Sequence, residues 1–158
     1  MHHDTAHLSA WRTADVVFGA ALLLGIAGHF VIPLTFAPYL DRELLHYIGT
    51  PLLVCGMIVV ILAQKELLNH DQPSRPAQAT TQIVTTGIFN YSRNPLYLGV
   101  LIAFVGLAMA TDSPWWLLLF VPVAAVTHYF LVVPEERYLE RKFGEEYANY
   151  CARVRRWL

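Results

Sequence analysis

Two adjacent glutamates and a histidine stand at the end of the last long apolar run of the sequence. Glu135 and Glu136 follow this run directly, and His128 lies inside it, two turns earlier. Polar side chains in such positions are costly to bury in hydrocarbon and usually face a cavity or a partner. A carboxylate here can bind hydroxyl or amino groups through charge-assisted hydrogen bonds. Glu136 and His128 are also the candidates for a general base, if an amine or a thiol has to be deprotonated.

A second polar group stands directly before another apolar run, in the stretch "NYSRNPLYLGVL". Proline is tolerated in the first turn of a helix, where its missing N–H would have had no partner. The stretch therefore predicts a helix that Pro95 opens, with Arg93 and Asn94 left at the surface. Tyr97 is expected to point back over the same first turn.

Composition determines which elements can position these residues. Of the 158 residues, 56% are hydrophobic and only 15% are charged, so a soluble domain would have too little polar surface. The net charge is −1 and the basic residues are scattered, which excludes a nucleic-acid-binding surface of the clustered Lys/Arg kind. Cys55 and Cys151 are far apart in the sequence, so neither a disulfide framework nor a metal site is predicted.

Four apolar segments can be compared with the roughly 20 residues that span about 30 Å of hydrocarbon. They cover residues 14–33, 47–63, 96–110 and 115–133, with approximate bounds. Only "TDSP" joins the last two, which predicts a tight helical hairpin. Small residues recur on one face of the third segment and predict close helix packing: Gly99, Ala103, Gly106 and Ala110. The predicted fold is an all-α integral membrane protein, a single domain of about four transmembrane helices.

Two polar regions accompany these segments. Residues 69–95 form a long loop that contains apolar and aromatic residues, which indicates an ordered, functional loop. Residues 134–156 predict an amphipathic interfacial helix with an apolar stripe, which Gly144 could break: Leu139, Phe143, Tyr147, Tyr150 and Val154. Lys and Arg concentrate in these two regions, so the loop and both termini are expected on the cytoplasmic side.

Two blocks together resemble a known family. "VTTGIFNYSRNPLYLGVL" and "EERYLERKFGEEYANYCARVRRWL" are similar to the isoprenylcysteine carboxyl methyltransferases and their relatives among the phospholipid N-methyltransferases, in a small prokaryotic form. That family has Arg-His-Pro-x-Tyr-x-Gly, then paired glutamates, then Phe-Gly-x-x-Tyr-x-x-Tyr and a basic end. The resemblance covers about the last 75 residues.

The resemblance implies an integral membrane methyltransferase of a bacterial or archaeal cytoplasmic membrane. It implies S-adenosylmethionine as the cofactor, bound from the cytoplasm. The implied acceptor is lipophilic, enters from the bilayer and is methylated on oxygen, sulfur or nitrogen. No protein partner is implied. Arg93 either meets the cofactor carboxylate or anchors at lipid headgroups. The other cofactor contacts of the family fall on Thr81, Gln82, Ile83, Val84, Phe89, Asn94, Pro95, Leu96, Tyr97 and Glu135.

Three positions depart from the family pattern. Asn94 replaces the histidine before the proline and Phe89 replaces a tyrosine. Asn94 keeps hydrogen-bonding capacity but cannot titrate near neutral pH. Eukaryotic members that methylate prenylcysteine have an arginine for the substrate carboxylate where this chain has Leu131. This difference disfavours a prenylcysteine carboxylate as acceptor.

Two alternatives remain beside the methyltransferase. Some sterol and isoprenoid reductases have a similar Arg-His-Pro-x-Tyr block and use NADPH, although those chains are longer and no Rossmann-type glycine motif is present here. The other alternative is a non-catalytic membrane scaffold whose loop and tail serve only to pack. Binding of adenosyl ligands or of NADPH would separate the three.

Overall fold

The computed structural model describes residues 5–37, 39–72 and 80–158, with side chains from residue 16 onward. Residues 73–79 of the predicted loop lie outside the described residues. The described part of the chain is helical and contains no strand. Its elements in order are α1 (Thr5–Val31), α2 (Arg42–Asn69), a short 3-10 helix (Gly87–Asn90), α3 (Pro95–Ala110), α4 (Trp115–Val126), a π-helical stretch (Thr127–Val132), α5 (Val133–Phe143) and α6 (Glu145–Arg153).

Two described helices are long and apolar enough to cross a membrane, judged by length and composition. They are α2 and the continuous helical run from Trp115 to Phe143. The apolar part of α1 from Val16 and the whole of α3 are shorter. Four membrane spans therefore remain a prediction, while the all-helical fold is confirmed.

Helix α2 is longer than the apolar segment that predicted it. Its 28 residues correspond to about 42 Å at about 1.5 Å per residue, more than the hydrocarbon thickness. Asp41 caps the helix, accepting hydrogen bonds from the backbone N–H of Glu43 at 2.8 Å and of Leu44 at 3.4 Å. The far end of α2, around Asn69, extends to the loop that will form one wall of the candidate site.

Glycines let α2 and α3 pack in direct backbone contact. A Cβ added to Gly106 would lie 2.3 Å from the backbone nitrogen of Leu53, and one added to Gly99 would lie 2.8 Å from the carbonyl oxygen of Gly56. The packing face predicted for α3 is confirmed at these two glycines. Because the pairing is antiparallel, the start of α3 lies beside the end of α2.

Two tryptophans at the start of α4 pack on glycines of α1. The ring of Trp116 covers Gly25, and the ring of Trp115 covers Gly28. The indole N–H of Trp115 donates to the carbonyl oxygen of Ile32 at 2.8 Å. Close packing therefore fixes α1 against the α3–α4 hairpin as it fixes α2 against α3.

The helix that begins at Trp115 changes register before it reaches the paired glutamates. The backbone N–H of Val133 donates to the carbonyl oxygen of His128, an i→i−5 bond of the π-helical kind that recurs at functional sites. The predicted C-terminal helix over 134–156 is divided by Gly144, whose φ is +52°. Its second part, α6, ends at Arg153, three residues earlier than expected.

Candidate active site

A cleft opens where the end of α2, the loop after it, the start of α3, α5 and α6 meet. It has about 680 Å³ of open space, its mouth included. Of the predicted cofactor contacts, the structure brings seven to its lining, together with Glu136: Gln82, Ile83, Val84, Phe89, Arg93, Asn94 and Glu135. Residues more than forty positions apart in the sequence thus share one concave surface.

Six further residues line the cleft and were not among the predicted cofactor contacts. Leu139, Tyr147 and Tyr150 belong to the apolar stripe that the sequence analysis assigned to an interfacial helix. The others come from the end of α2 and from the loop: Leu67, Gln72 and Thr80. The apolar stripe of α5 and α6 thus serves both the packing of these helices and the cleft lining. Its periodicity could have predicted three of the six residues as cleft residues.

Thr81 orders the loop and does not line the cleft. Its backbone N–H donates to Oε1 of Gln72 at 2.9 Å, and its hydroxyl accepts from Nε2 of Gln72 at 2.8 Å. Nε2 of Gln72 also donates to the carbonyl oxygen of His70 at 3.0 Å. Gln72 is buried, with 3% of its surface exposed, so these bonds tie the loop to the end of α2.

The 3-10 helix that carries Phe89 is held from both sides. Gly87 has φ +55°, and a Cβ there would lie 2.7 Å from the carboxylate of Glu66. Only glycine combines this backbone conformation with this approach. On the other side, the hydroxyl of Tyr150 donates to the carbonyl oxygen of Phe89 at 2.7 Å. Burial raises the pKa of Tyr150, so the phenol stays protonated as a donor.

Glu136 is held by two arginines. Nη2 and Nε of Arg156 donate to Oε2 of Glu136 at 2.6 and 3.0 Å, and Nη1 of Arg93 lies 3.5 Å from Oε1. The Glu136 side chain is 12% exposed. The hydrogen bond to Glu136 raises the pKa of Arg156. These contacts suit the Glu136 carboxylate to holding the two arginine side chains in place.

Glu135 has a different environment. The hydroxyl of Tyr97, which is 4% exposed, donates to Oε2 of Glu135 at 3.2 Å. Among the ion pairs found in the described part of the chain, none involves Glu135. The carboxyl group of Glu135 therefore lies in the cleft lining without a cation partner among the described residues.

Arg93 contributes a buried donor that has no partner in the described part of the chain. Its side chain is 14% exposed, and its Nη1 contacts both Glu136 and the sulfur of Cys151. Its Nε is buried and has no hydrogen-bond partner among residues 16–37, 39–72 and 80–158. Buried polar groups are normally paired, so an unpaired guanidinium nitrogen beside a cleft is a feature that an anionic ligand group would satisfy.

Five predicted site residues lie beside the cleft rather than in its lining. Pro95 is fully buried at the start of α3, and Leu96 and Tyr97 pack with Leu131 and Val132. Thr81 has been described above. The ring of His128 packs 4.8 Å from Tyr129 and 6.4 Å from Trp157, measured between ring centroids, and does not line the cleft.

Comparison with known proteins gives two matches. The sequence profile of the phospholipid methyltransferases matches residues 44–146, which covers the chain from α2 to the beginning of α6. An uncharacterized protein of Haemophilus influenzae is 54% identical over 33 residues, which is 21% of this chain and 52% of that protein. The match thus spans about half the length of that relative. No solved structure matches the chain.

Proposed function

The chain belongs to the phospholipid methyltransferase family, a family of membrane methyltransferases, and we propose that it transfers a methyl group from S-adenosylmethionine to a lipophilic acceptor. The observation that carries the cofactor assignment is the carboxyl group of Glu135, which has no cation partner among the described residues, in a cleft also lined by Arg93, whose Nε has no partner among them either. S-adenosylmethionine is a cation that carries both an ammonium and a carboxylate.

The lining fits this cofactor chemically. Glu135 would bind its hydroxyl or amino groups, and Arg93 would bind its carboxylate. The apolar wall made by Val84, Phe89 and Leu139 suits a flat purine. These are the residues that would hold the cofactor, and all of them line the cleft.

Few protein groups are required for the chemistry. The cofactor supplies an activated methyl group, so the protein mainly orients the reactants and excludes water. Arg93 and Arg156 hold Glu136 in an ion pair, and His128 lies outside the cleft lining. This arrangement favours an acceptor that is already nucleophilic, such as a carboxylate, a thiolate or a neutral amine.

The proposed location is a bacterial or archaeal cytoplasmic membrane, with four spans. The cleft, the loop and both termini would face the cytoplasm, in keeping with the basic residues of α5 and α6. The acceptor would enter from the bilayer. Leu131 is fully buried and has no charge, which agrees with an acceptor other than a prenylcysteine carboxylate.

Ligand-dependent stability tests the cofactor. The purified protein in detergent is expected to melt at a higher temperature with S-adenosylmethionine or S-adenosylhomocysteine, since a ligand that binds only the folded state stabilises it by RT ln(1 + [L]/Kd). At 100 times Kd, the stabilisation is about 2.7 kcal/mol. A rise with NADPH and none with the adenosyl ligands would contradict the proposal and support a reductase; no rise with either ligand would support a scaffold.

Transfer itself is tested with methyl-labelled S-adenosylmethionine and a membrane lipid extract. Label is expected in the organic phase, and identification of the labelled molecule gives the acceptor. Heat-denatured protein and the Glu135→Gln variant serve as controls. An extract that stays unlabelled although the adenosyl ligands bind would contradict a lipid acceptor and leave the cofactor assignment in place.

The hydroxyl of Tyr97 is expected to assist cofactor binding through Glu135. Tyr97→Phe removes the hydrogen bond at 3.2 Å, a loss of about 0.5–1.5 kcal/mol or about two- to tenfold in Kd. Calorimetric titration with S-adenosylhomocysteine measures the change. Tyr91→Phe is the matched control, because Tyr91 is 75% exposed. Equal affinities of wild type and Tyr97→Phe would remove Tyr97 from the site.

A further inference from the structure

A short segment after α6 passes along the wall of the cleft. Residues 154–158, called the strap here, leave the helix in an extended conformation, with φ −122° and ψ 130° at Val154. The side chain of Val154 is buried and packs with Tyr147 and Tyr150. The beginning of the strap is thus fixed to α6, and its direction is set by this burial.

Main-chain carbonyls of the strap bind three consecutive residues before α3. The backbone N–H of Arg93 donates to the carbonyl oxygen of Arg155 at 3.0 Å. The carbonyl oxygen of Arg156 accepts from Oγ of Ser92 at 3.3 Å and from Nδ2 of Asn94 at 3.2 Å. Ser92 and Asn94 are buried, 1% and 7% exposed, so these bonds fix the backbone from which the side chain of Arg93 extends.

The side chains of the strap reach the surroundings of both glutamates. The guanidinium of Arg156 binds Glu136 on α5, while the carbonyl of the same residue binds the segment before α3. Trp157 packs against the cluster that contains Tyr97, the donor to Glu135. The strap therefore contacts two walls of the cleft, the segment before α3 through its carbonyls and helix α5 through the guanidinium of Arg156.

We propose that the strap positions Arg93 and the two glutamates for binding of the adenosyl cofactor, with Arg156 as its positioning residue. The inference rests on the proposed function. Asn94, at the position where related sequences have histidine, then acts as an amide donor to the strap carbonyl and toward Glu136, whose Oε1 lies 3.5 Å from Nδ2. A titratable group is not needed for this role.

Two readouts on the full chain in lipid nanodiscs test the proposal. Arg156→Gln is expected to weaken S-adenosylhomocysteine binding about three- to tenfold and to speed amide hydrogen exchange in the peptide that contains Arg93. Arg156→Lys, which keeps the charge but loses the planar fork, should be intermediate in both. Arg153→Gln is the matched control: Arg153 is exposed and lies on α6, before the strap.

The possible outcomes distinguish a failure of the strap proposal from a failure of the proposed function. If the wild type binds the adenosyl ligand and Arg156→Gln binds it equally well, the positioning role is overturned while the proposed function stands. A lower melting temperature of Arg156→Gln with unchanged affinity also overturns it, because the strap then serves stability alone. Failure of the wild type to bind the adenosyl ligand overturns both the proposed function and the role of the strap. Unchanged amide hydrogen exchange around Arg93 in Arg156→Gln overturns the role of the strap without reference to any ligand.

Discussion

Glu135→Gln is expected to weaken S-adenosylmethionine binding about 10- to 100-fold. A hydrogen bond to a charged group contributes about 1.5–3 kcal/mol, and each 1.4 kcal/mol is about tenfold in Kd. Glutamine keeps the size of the side chain and can still accept from Tyr97, so the substitution removes mainly the charge. Isothermal titration with S-adenosylmethionine measures the affinity, and the melting temperature of the unliganded protein should change little, since none of the ion pairs of the described residues uses Glu135.

Glu136→Gln provides the contrast, because the two neighbouring carboxylates have different partners. Removing one member of a largely buried ion pair leaves its cations uncompensated and is destabilising, so this variant should lower the melting temperature without ligand. Glu140→Gln, at an exposed position of the same helix, should change neither affinity nor stability. If Glu135→Gln lowered stability and left affinity unchanged, the division of roles between Glu135 and Glu136 would be contradicted.

The sequence predicted those parts of the cleft that lie close to a recognisable block. Six residues between Gln82 and Asn94 line it, as does Glu135, and they could be predicted because the resemblance fixes their order and spacing. Gln72 was not predicted as a cleft residue. It lies in the irregular loop after α2, where no periodic pattern indicates which side chains face the cleft. Its two hydrogen bonds with Thr81 order the loop, and the cofactor contact at Thr81 stays a prediction.

Hydropathy predicted where apolar helices lie along the chain better than where those helices end. Residues 47–63 are the apolar part of α2, but Asp41 caps the helix and its polar last turns continue to Asn69. The amino-acid composition of the segment before Val133 does not predict its π-helical register. The role of the strap was equally hidden, because main-chain carbonyls bind Ser92 and Asn94 and any residue type supplies a carbonyl.

Gly106→Ala is expected to be strongly destabilising although alanine is the better helix former. The added Cβ would lie 2.3 Å from the backbone nitrogen and 2.6 Å from the Cα of Leu53, and neither atom can move without shifting α2. Overpacking of this kind costs about 1–3 kcal/mol. Because the α2–α3 contact sets the start of α3, the same shift should also displace Arg93 and weaken S-adenosylhomocysteine binding.

Thermal unfolding in detergent, followed by circular dichroism, measures the effect of Gly106→Ala, and Gly19→Ala is its matched control. Gly19 is helical and has no heavy atom within 4 Å of an added Cβ, so this variant should melt at or slightly above the wild-type temperature. The small-residue face of α3 serves close approach between helices, for which lipid supplies no hydrophobic driving force. If the two variants melted at the same temperature, α2 and α3 could not be in backbone contact at Gly106, and the link from this packing face to the cleft would be lost.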